Sequence, residues 1–242
     1  MQGGTIGFFD SGVGGLTLLR ECALRLPGEN FVYFGDNENA PYGNRPESEI
    51  RAFAFRAFDL FARMPVRAAV IACNTVTALC ADGLRAAYPF PVVGVEPAVR
   101  PAANRGGKVL LLATRATLSS GRVRRLVAAN AAKAEIIPFC PARLAGEIEK
   151  NIFDLSAVRL EEHLPRGRFD AVVLGCTHYI FLRGCIADFY GCPVFDGNAG
   201  TADHLVKILN ICSQNCVNLG QNRPVFCGKC KKFNENVYNM LR

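Results

Sequence analysis

The chain has 242 residues, 50% hydrophobic and 20% charged, with a net charge of +7 and 11 cysteines. That length supports one or two domains with a true core, without disulfides or a structural metal to hold it, and the composition excludes a disordered, collagen-like or coiled-coil chain. Apolar runs reach only about five residues, against the ~20 of a membrane span, and the start Met1-Gln2-Gly3-Gly4-Thr5 has no basic n-region, so no signal peptide, no membrane and a reducing, cytoplasmic setting with free thiols are expected.

Short apolar runs alternate with amphipathic stretches. In chain order they predict strand Thr5–Phe9, helix Leu16–Leu26, strand Phe31–Phe34, helix Glu47–Arg63 and strands Ala68–Ala72 and Pro91–Gly94. Strand Lys108–Ala113, helix Thr117–Ala129, strands Glu135–Pro138, Asp170–Gly175 and Pro193–Phe195 and helix Ala199–Leu209 complete the series. Apolar strands alternating with helices predict parallel sheets covered on both faces. Such sheets bind ligands beyond the carboxyl ends of their strands.

Those ends carry unusual residues. Phe9 runs into Asp10-Ser11-Gly12, Ala72 into Cys73-Asn74-Thr75, Ala113 into Thr114, and Gly175 into Cys176-Thr177-His178. A weak internal repeat relates them. Ala69–Thr75 resembles Val172–His178, and Ile6–Asp10 resembles Val109–Ala113, both at an offset of 103 residues. The expected fold class is therefore α/β, with two pseudo-symmetric lobes. Each lobe is a mostly parallel sheet flanked by helices, and the active site lies in the cleft between them. The first lobe is read as 1–97 and the second as 98–206.

Each lobe then offers one thiol at a strand-to-helix turn, where backbone N–H groups point outward and favour a thiolate. Asp10 is the polar helper in the first lobe and His178 in the second. Two bases on opposite sides of one carbon can invert it, one removing the α-proton and the other returning a proton from behind. Charge on the carbon then needs placed donors. Ser11, Asn74, Thr75, Thr117 and Thr177 are candidates to hold an amino acid's carboxylates and ammonium. Cys22, Cys80, Cys185 and Cys192 are read as small core hydrophobes. Residues 101–134 hold seven basic and no acidic residues. No aromatic stripe interleaves these charges, so they read as a solvated face of a protein that handles small acids, with no nucleic-acid partner.

Five ordered motifs carry a family resemblance. They are Phe9–Thr17, Tyr33–Asp36 with Pro41-Tyr42-Gly43, Ala72–Thr75, Gly94–Val99 and Leu174–Tyr179. Over roughly residues 5–205 their order and spacing resemble those of glutamate racemases. The resemblance implies a cofactor-independent, cytoplasmic, homodimeric isomerase that interconverts L- and D-glutamate and supplies D-glutamate for peptidoglycan, and so for cell-wall biogenesis and cell shape. It implies that Cys73 and Cys176 are the two proton donors and acceptors, with Cys176 deprotonating L-glutamate. Asp10 and His178 assist them, while Ser11, Tyr42, Gly43, Asn74, Thr75 and Thr177 line the substrate site. It also implies an assisting glutamate after Cys140-Pro141, with Glu149 preferred over Glu147, and a tail, 207–242, that returns to the first lobe. The chain departs from the family pattern at Ile180, where proline is frequent, and near Arg122 and Val123, where tyrosine is.

Other chemistries fit less well. No strand end presents a lysine for pyridoxal phosphate, and Gly12-Val13-Gly14-Gly15 lacks the pattern of a nucleotide loop. Hydrolysis by Cys176 and His178 leaves the second thiol unexplained. The remaining alternatives are a racemase of another amino acid, such as aspartate, and a zinc or interaction module in the tail. There Cys212, Cys216, Cys227 and Cys230 approach zinc spacing.

Overall fold

The computed structural model describes residues 4–210 and 224–241. The first half runs β1 (Thr5–Asp10), α1 (Leu16–Arg25), β2 (Asn30–Gly35), α2 (Glu47–Ala62), β3 (Val66–Ile71), α3 (Asn74–Ala87), β4 (Val92–Gly94) and α4 (Val99–Ala103). The second half runs β5 (Lys108–Ala113), α5 (Arg115–Ser119), α6 (Gly121–Ala128), β6 (Glu135–Phe139), α7 (Leu144–Lys150), β7 (Ala171–Gly175), α8 (Arg183–Tyr190), β8 (Val194–Asp196) and α9 (Asn198–Ile208). β9 (Val225–Cys227) and α10 (Lys231–Met240) follow.

The strands form two sheets, ordered β4-β3-β1-β2-β9 and β6-β5-β7-β8. Every described pairing is parallel. This is the α/β architecture of two helix-flanked sheets that the alternating pattern predicts. The repeat is present in the register itself. Ile6 pairs with Ala68 and Phe9 with Ile71 in the first sheet, while Val109 pairs with Ala171 and Leu112 with Leu174 in the second. Each residue of the second set lies 103 positions after its counterpart, so the two sheets are built on the same pleat.

Alternation along the strands divides the core. Ile6, Phe8, Ala68 and Val70 share one cluster with Leu110, Leu112, Val172 and Leu174, whereas Phe9, Ala69 and Ile71 face the helices α2 and α3. Val109, Leu111, Ala171 and Val173 face α4 and α6. One face of each sheet thus contributes to a common core. β6, at the edge of its sheet, is only half-buried, as an edge strand allows. β9 extends the first sheet by pairing with β2, and α10 packs on α1, β2 and β9.

Three sequence expectations are corrected. Helix Thr117–Ala129 is two helices, because Ser120 leaves helical geometry at ψ 144° and its hydroxyl caps α6 by accepting from Val123 N–H at 3.2 Å. Cys176 does not enter an α-helix directly; a 3-10 turn over Thr177–Leu182 intervenes before α8. Cys22 and Cys80 are core residues, but Cys185 is exposed and Cys192 half-buried on and after α8.

Glycines at 12, 14 and 43 lie where loops of the two halves touch. A Cβ on Gly12 would stand 2.6 Å from the Glu149 carboxylate, and one on Gly43 would stand 2.6 Å from Thr114 Cβ. A Cβ on Gly14 would meet the backbone nitrogen of His178 at 2.8 Å, where no side chain can swing away. Gly28 has nothing within 4 Å of the same position. Gly14→Ala is therefore expected to lower stability by about 1–3 kcal/mol and to open the seam, while Gly28→Ala does neither. Peptide mapping after iodoacetamide labelling checks this: Cys73 and Cys176 should label faster in Gly14→Ala than in the wild type. Equal labelling in both would show that the seam tolerates the methyl group.

Candidate active site

Four strand ends meet at that seam. β1 delivers Asp10 and Ser11, β3 delivers Cys73 at the start of α3, β5 delivers Thr114 before α5, and β7 delivers Cys176. Cys73 is 4% and Cys176 6% exposed, and Asp10 is fully buried. The site is closed in this conformation.

Asp10 is held by its own loop. One carboxyl oxygen accepts from the N–H groups of Gly12 and Gly15, both at 3.1 Å, and the other faces Thr177 Oγ1 at 3.4 Å. Burial pushes its pKa up against the pull of His178 and these two N–H donors. Cys73 donates to Ser11 Oγ at 3.6 Å. Burial, with the Asp10 charge nearby, pushes the Cys73 thiol up to about 12, so at neutral pH it carries its proton.

The second thiol has different neighbours. Cys176 Sγ lies 3.9 Å from His178 Nδ1, and His178 Nε2 lies 2.5 Å from Glu149 Oε2. Burial disfavours charge on both ring and carboxyl, but each outweighs that cost for the other. The His178 pKa is raised well above its ordinary range, and Glu149 is held below its own with further help from Val13 N–H and Asn37. The ring is then an imidazolium, and both its nitrogens donate. Its Nδ1–H faces the sulfur, so Cys176 sits beside a cation and Cys73 beside a carboxylate.

Donors complete the site. Thr75, Thr114 and Thr117 hydroxyls lie within 2.8–3.3 Å of one another across the seam. The Asn74 amide nitrogen is buried without a hydrogen-bond partner. Tyr42 donates to Asp36 at 2.6 Å, which fixes the turn that seats Gly43 against Thr114.

The structure thus brings together Asp10, Ser11, Cys73, Thr75, Thr117, Cys176, Thr177, His178 and Glu149. Of the two glutamates on α7, Glu149 reaches His178, whereas Glu147 contacts Asn151 at 3.5 Å on its own helix. Asn37 and Thr114 were missed as site residues. Thr114 carries the strand-end signal that marks the other three positions, and Asn37 directly follows the Tyr33–Asp36 motif. Arg122 pairs with Glu96 and Asp82, Val123 is buried, and Ile180 is half-buried in the turn after His178. In the tail, Cys227 ends β9 and Cys230 caps α10, while Cys212 and Cys216 lie outside the described residues. Among the described residues no group of side chains is arranged to hold a metal, and no helix is long and apolar enough to cross a membrane.

Comparison with known proteins places this geometry. Residues 17–205 match the family model described as Asp/Glu/hydantoin racemase. Glutamate racemase from Clostridium perfringens is 37% identical over 220 residues, which cover 86% of this chain and 84% of that one. The crystal structure of a glutamate racemase isoform from Bacillus anthracis superposes with a TM-score of 0.81 at 28% identity, over 100% of this chain and 95% of its own. Glutamate racemase from Escherichia coli, solved in complex with L-glutamate and an activator, superposes at 0.72 with 29% identity, over 94% and 90%.

The Glu149–His178 pair makes stability depend on pH. The contribution of His178, whose pKa is raised on folding, is complete below the ordinary value of 6.5 and is lost as pH climbs through the folded value. That of Glu149, whose pKa is lowered, is complete above 4.5 and is lost as pH falls through its folded value. Between those two limits both contribute in full. Glu149→Gln is expected to cost about 2–3 kcal/mol near pH 6, and this deficit should shrink as pH rises towards 9 or beyond. Urea denaturation of both proteins across that range measures it. A deficit that stays constant would mean that the ring is neutral throughout.

Proposed function

The chain belongs to the Asp/Glu/hydantoin racemase family and is an amino-acid racemase, and from that premise we propose that its substrate is glutamate, whose L and D forms it interconverts with two thiols and no cofactor. One observation carries the mechanism: two cysteines at equivalent positions of a repeated sheet have opposite electrostatic neighbours. In the L to D direction, the Cys176 thiolate, beside the His178 cation, takes the α-proton of L-glutamate. The Cys73 thiol, which holds its proton, gives it to the other face of the carbon. The electron pair of the broken C–H bond forms the new one, and the thiols exchange protonation states. The reverse reaction starts from the exchanged states.

Other features support an acidic amino acid as substrate. The Asn74 donor has no partner in the closed protein, and the side-chain partners of the Thr75, Thr114 and Thr117 hydroxyls are one another, so both can turn towards carboxylates. Charge that builds on the α-carbon needs such preorganised donors. The relatives reported above are glutamate racemases, which favours glutamate over aspartate. On this reading the enzyme works in the cytoplasm as a homodimer and supplies D-glutamate for peptidoglycan, and hence for cell-wall biogenesis and cell shape. We further assign 1–97 and 98–206 as the two lobes that part to admit substrate, with 207–242 joined to the first.

Circular dichroism of L-glutamate and of D-glutamate with purified enzyme tests the substrate. Ellipticity should decay to zero from either enantiomer, and in D2O the product should carry deuterium at the α-carbon. Cys73→Ser and Cys176→Ser should each lower racemisation by about 100-fold or more, the scale of a lost general acid or base. Wild-type rates in either variant would overturn the two-thiol mechanism. Faster turnover of aspartate than of glutamate would keep the mechanism and change the substrate.

A further inference from the structure

We propose that Tyr33 is a positioning residue for the Cys176 half of the site, acting through a single peptide group of the glycine loop, and that β9 and α10 are the support that holds it there. This rests on the racemase reading above. Tyr33 is fully buried on β2. Its hydroxyl donates to the carbonyl oxygen of Gly12 at 2.7 Å. That carbonyl and the N–H of Val13 are the two ends of one rigid, planar peptide. The Val13 N–H donates to Glu149 Oε2 at 3.3 Å, the oxygen that His178 Nε2 approaches at 2.5 Å. His178 Nδ1 in turn faces Cys176 Sγ at 3.9 Å. A tilt of the peptide that breaks the hydroxyl contact therefore also turns its N–H away from Glu149. Of the two bonds this peptide makes, the one from Val13 is the longer, so a small tilt loses it first. Hydrogen bonds in such a chain also polarise one another, so the loss of the first weakens those beyond it.

The loop cannot hold this orientation alone, since three of the four residues from Gly12 to Gly15 have no side chain to pack. The tail supplies the backing. Tyr33 pairs with Phe226 in the sheet, their rings lie 6.0 Å apart, and Cys227 Sγ donates to the Tyr33 carbonyl at 3.4 Å. Asn234 of α10 is fully buried. A Cβ on Gly35 would lie 2.6 Å from the Gly12 oxygen and 2.8 Å from Asn234 Nδ2. The missing side chain at Gly35 thus lets the loop, Tyr33 and α10 meet at one point. Burial, with the charges of Asp10 and Glu149 nearby, pushes the phenol well above its usual range. The hydroxyl stays a donor across the working pH range.

Tyr33→Phe removes the hydroxyl and keeps the ring. Its kcat should fall about tenfold in both directions, the scale of an outer partner that orients a functional ligand, with little change in KM. The distinguishing readout is the titration of the His178 ring, followed by NMR among only three histidines. Glu149, Cys176 and Asp10 face that ring, and with Glu149 less firmly held its pKa should move down. Phe226→Leu, which loosens the ring but keeps the hydroxyl, should shift it in the same direction by less, and serves if Tyr33→Phe does not fold. Tyr88→Phe is the control. It loses a hydroxyl bonded to Asp59 at 2.7 Å, away from the site, and should leave His178 unmoved. Loss of stability and turnover in Tyr33→Phe without movement of His178 would make Tyr33 merely structural and overturn the proposal, as would unchanged turnover. If the wild type fails to racemise glutamate, the proposed substrate falls, while the His178 titration still tests the coupling.

Discussion

Glu149 is a charged carboxylate held largely out of water, and the closed form of the molecule is built around satisfying it. Removing such an ion from water costs several kcal/mol unless a counter-charge and hydrogen bonds replace the solvent. The counter-charge, His178, comes from the same half of the chain. The hydrogen bonds do not: Val13 N–H and Asn37 belong to loops of the first sheet. The carboxylate is therefore fully satisfied only when the two sheets are seated against each other. The glycines at 12, 14 and 43 make that seating close enough, since a methyl group at any of them would intrude on the other half. The seating of the two halves thus completes the hydrogen bonding of the carboxylate that pairs with His178.

Upon this seam sits a duplicated scaffold that has been made chemically unequal. The register of β1 with β3 and of β5 with β7 is the same at an offset of 103 residues, so backbone geometry offers two equivalent thiol positions. A symmetric pair of thiols would have no reason to differ in protonation. The residues around them are not symmetric, with the Asp10 carboxyl on the first side and the His178 ring on the second. A two-base inversion requires one group loaded with a proton and one empty at the start of each turnover. In the proposed mechanism the repeat would provide the two placements, and the unequal neighbours the means to load them differently.

The same distinction explains what the sequence could disclose. Buried parallel strands are apolar runs that end abruptly, so polar or nucleophilic residues at those ends stand out. Asp10, Cys73 and Cys176 were legible for that reason, as was the division into two sheets. Features set by tertiary contact were not. Glu147 and Glu149 are two apart on α7, on opposite sides of a helix, and only the position of His178 decides between them. The break at Ser120 is invisible to apolar periodicity, because a cap stops a helix without changing its pattern. Asn37 contributes one amide to a carboxylate 112 residues away, which no local pattern encodes. The core reading of Cys185 failed because cysteine alone says nothing about which face of α8 it occupies.

The C-terminal segment also has a physical rationale independent of its cysteines. A loop of glycines can approach another chain closely, but it pays for that freedom in conformational entropy and has nothing of its own to grip. It must be held from outside. Asp10 and Glu149 secure its N–H groups. Its carbonyls at Val13, Gly14 and Gly15 are taken by the first turn of α1, and the one at Gly12 by Tyr33, whose ring and backbone are held by Phe226 and Cys227. Without β9, β2 would be an edge strand, and edge strands are the least constrained members of a sheet. Adding one short strand and a helix converts β2 into an interior strand. The side chain that orients the glycine loop then stands on a rigid support, which is where a site that depends on distances of a few tenths of an ångström has to be built.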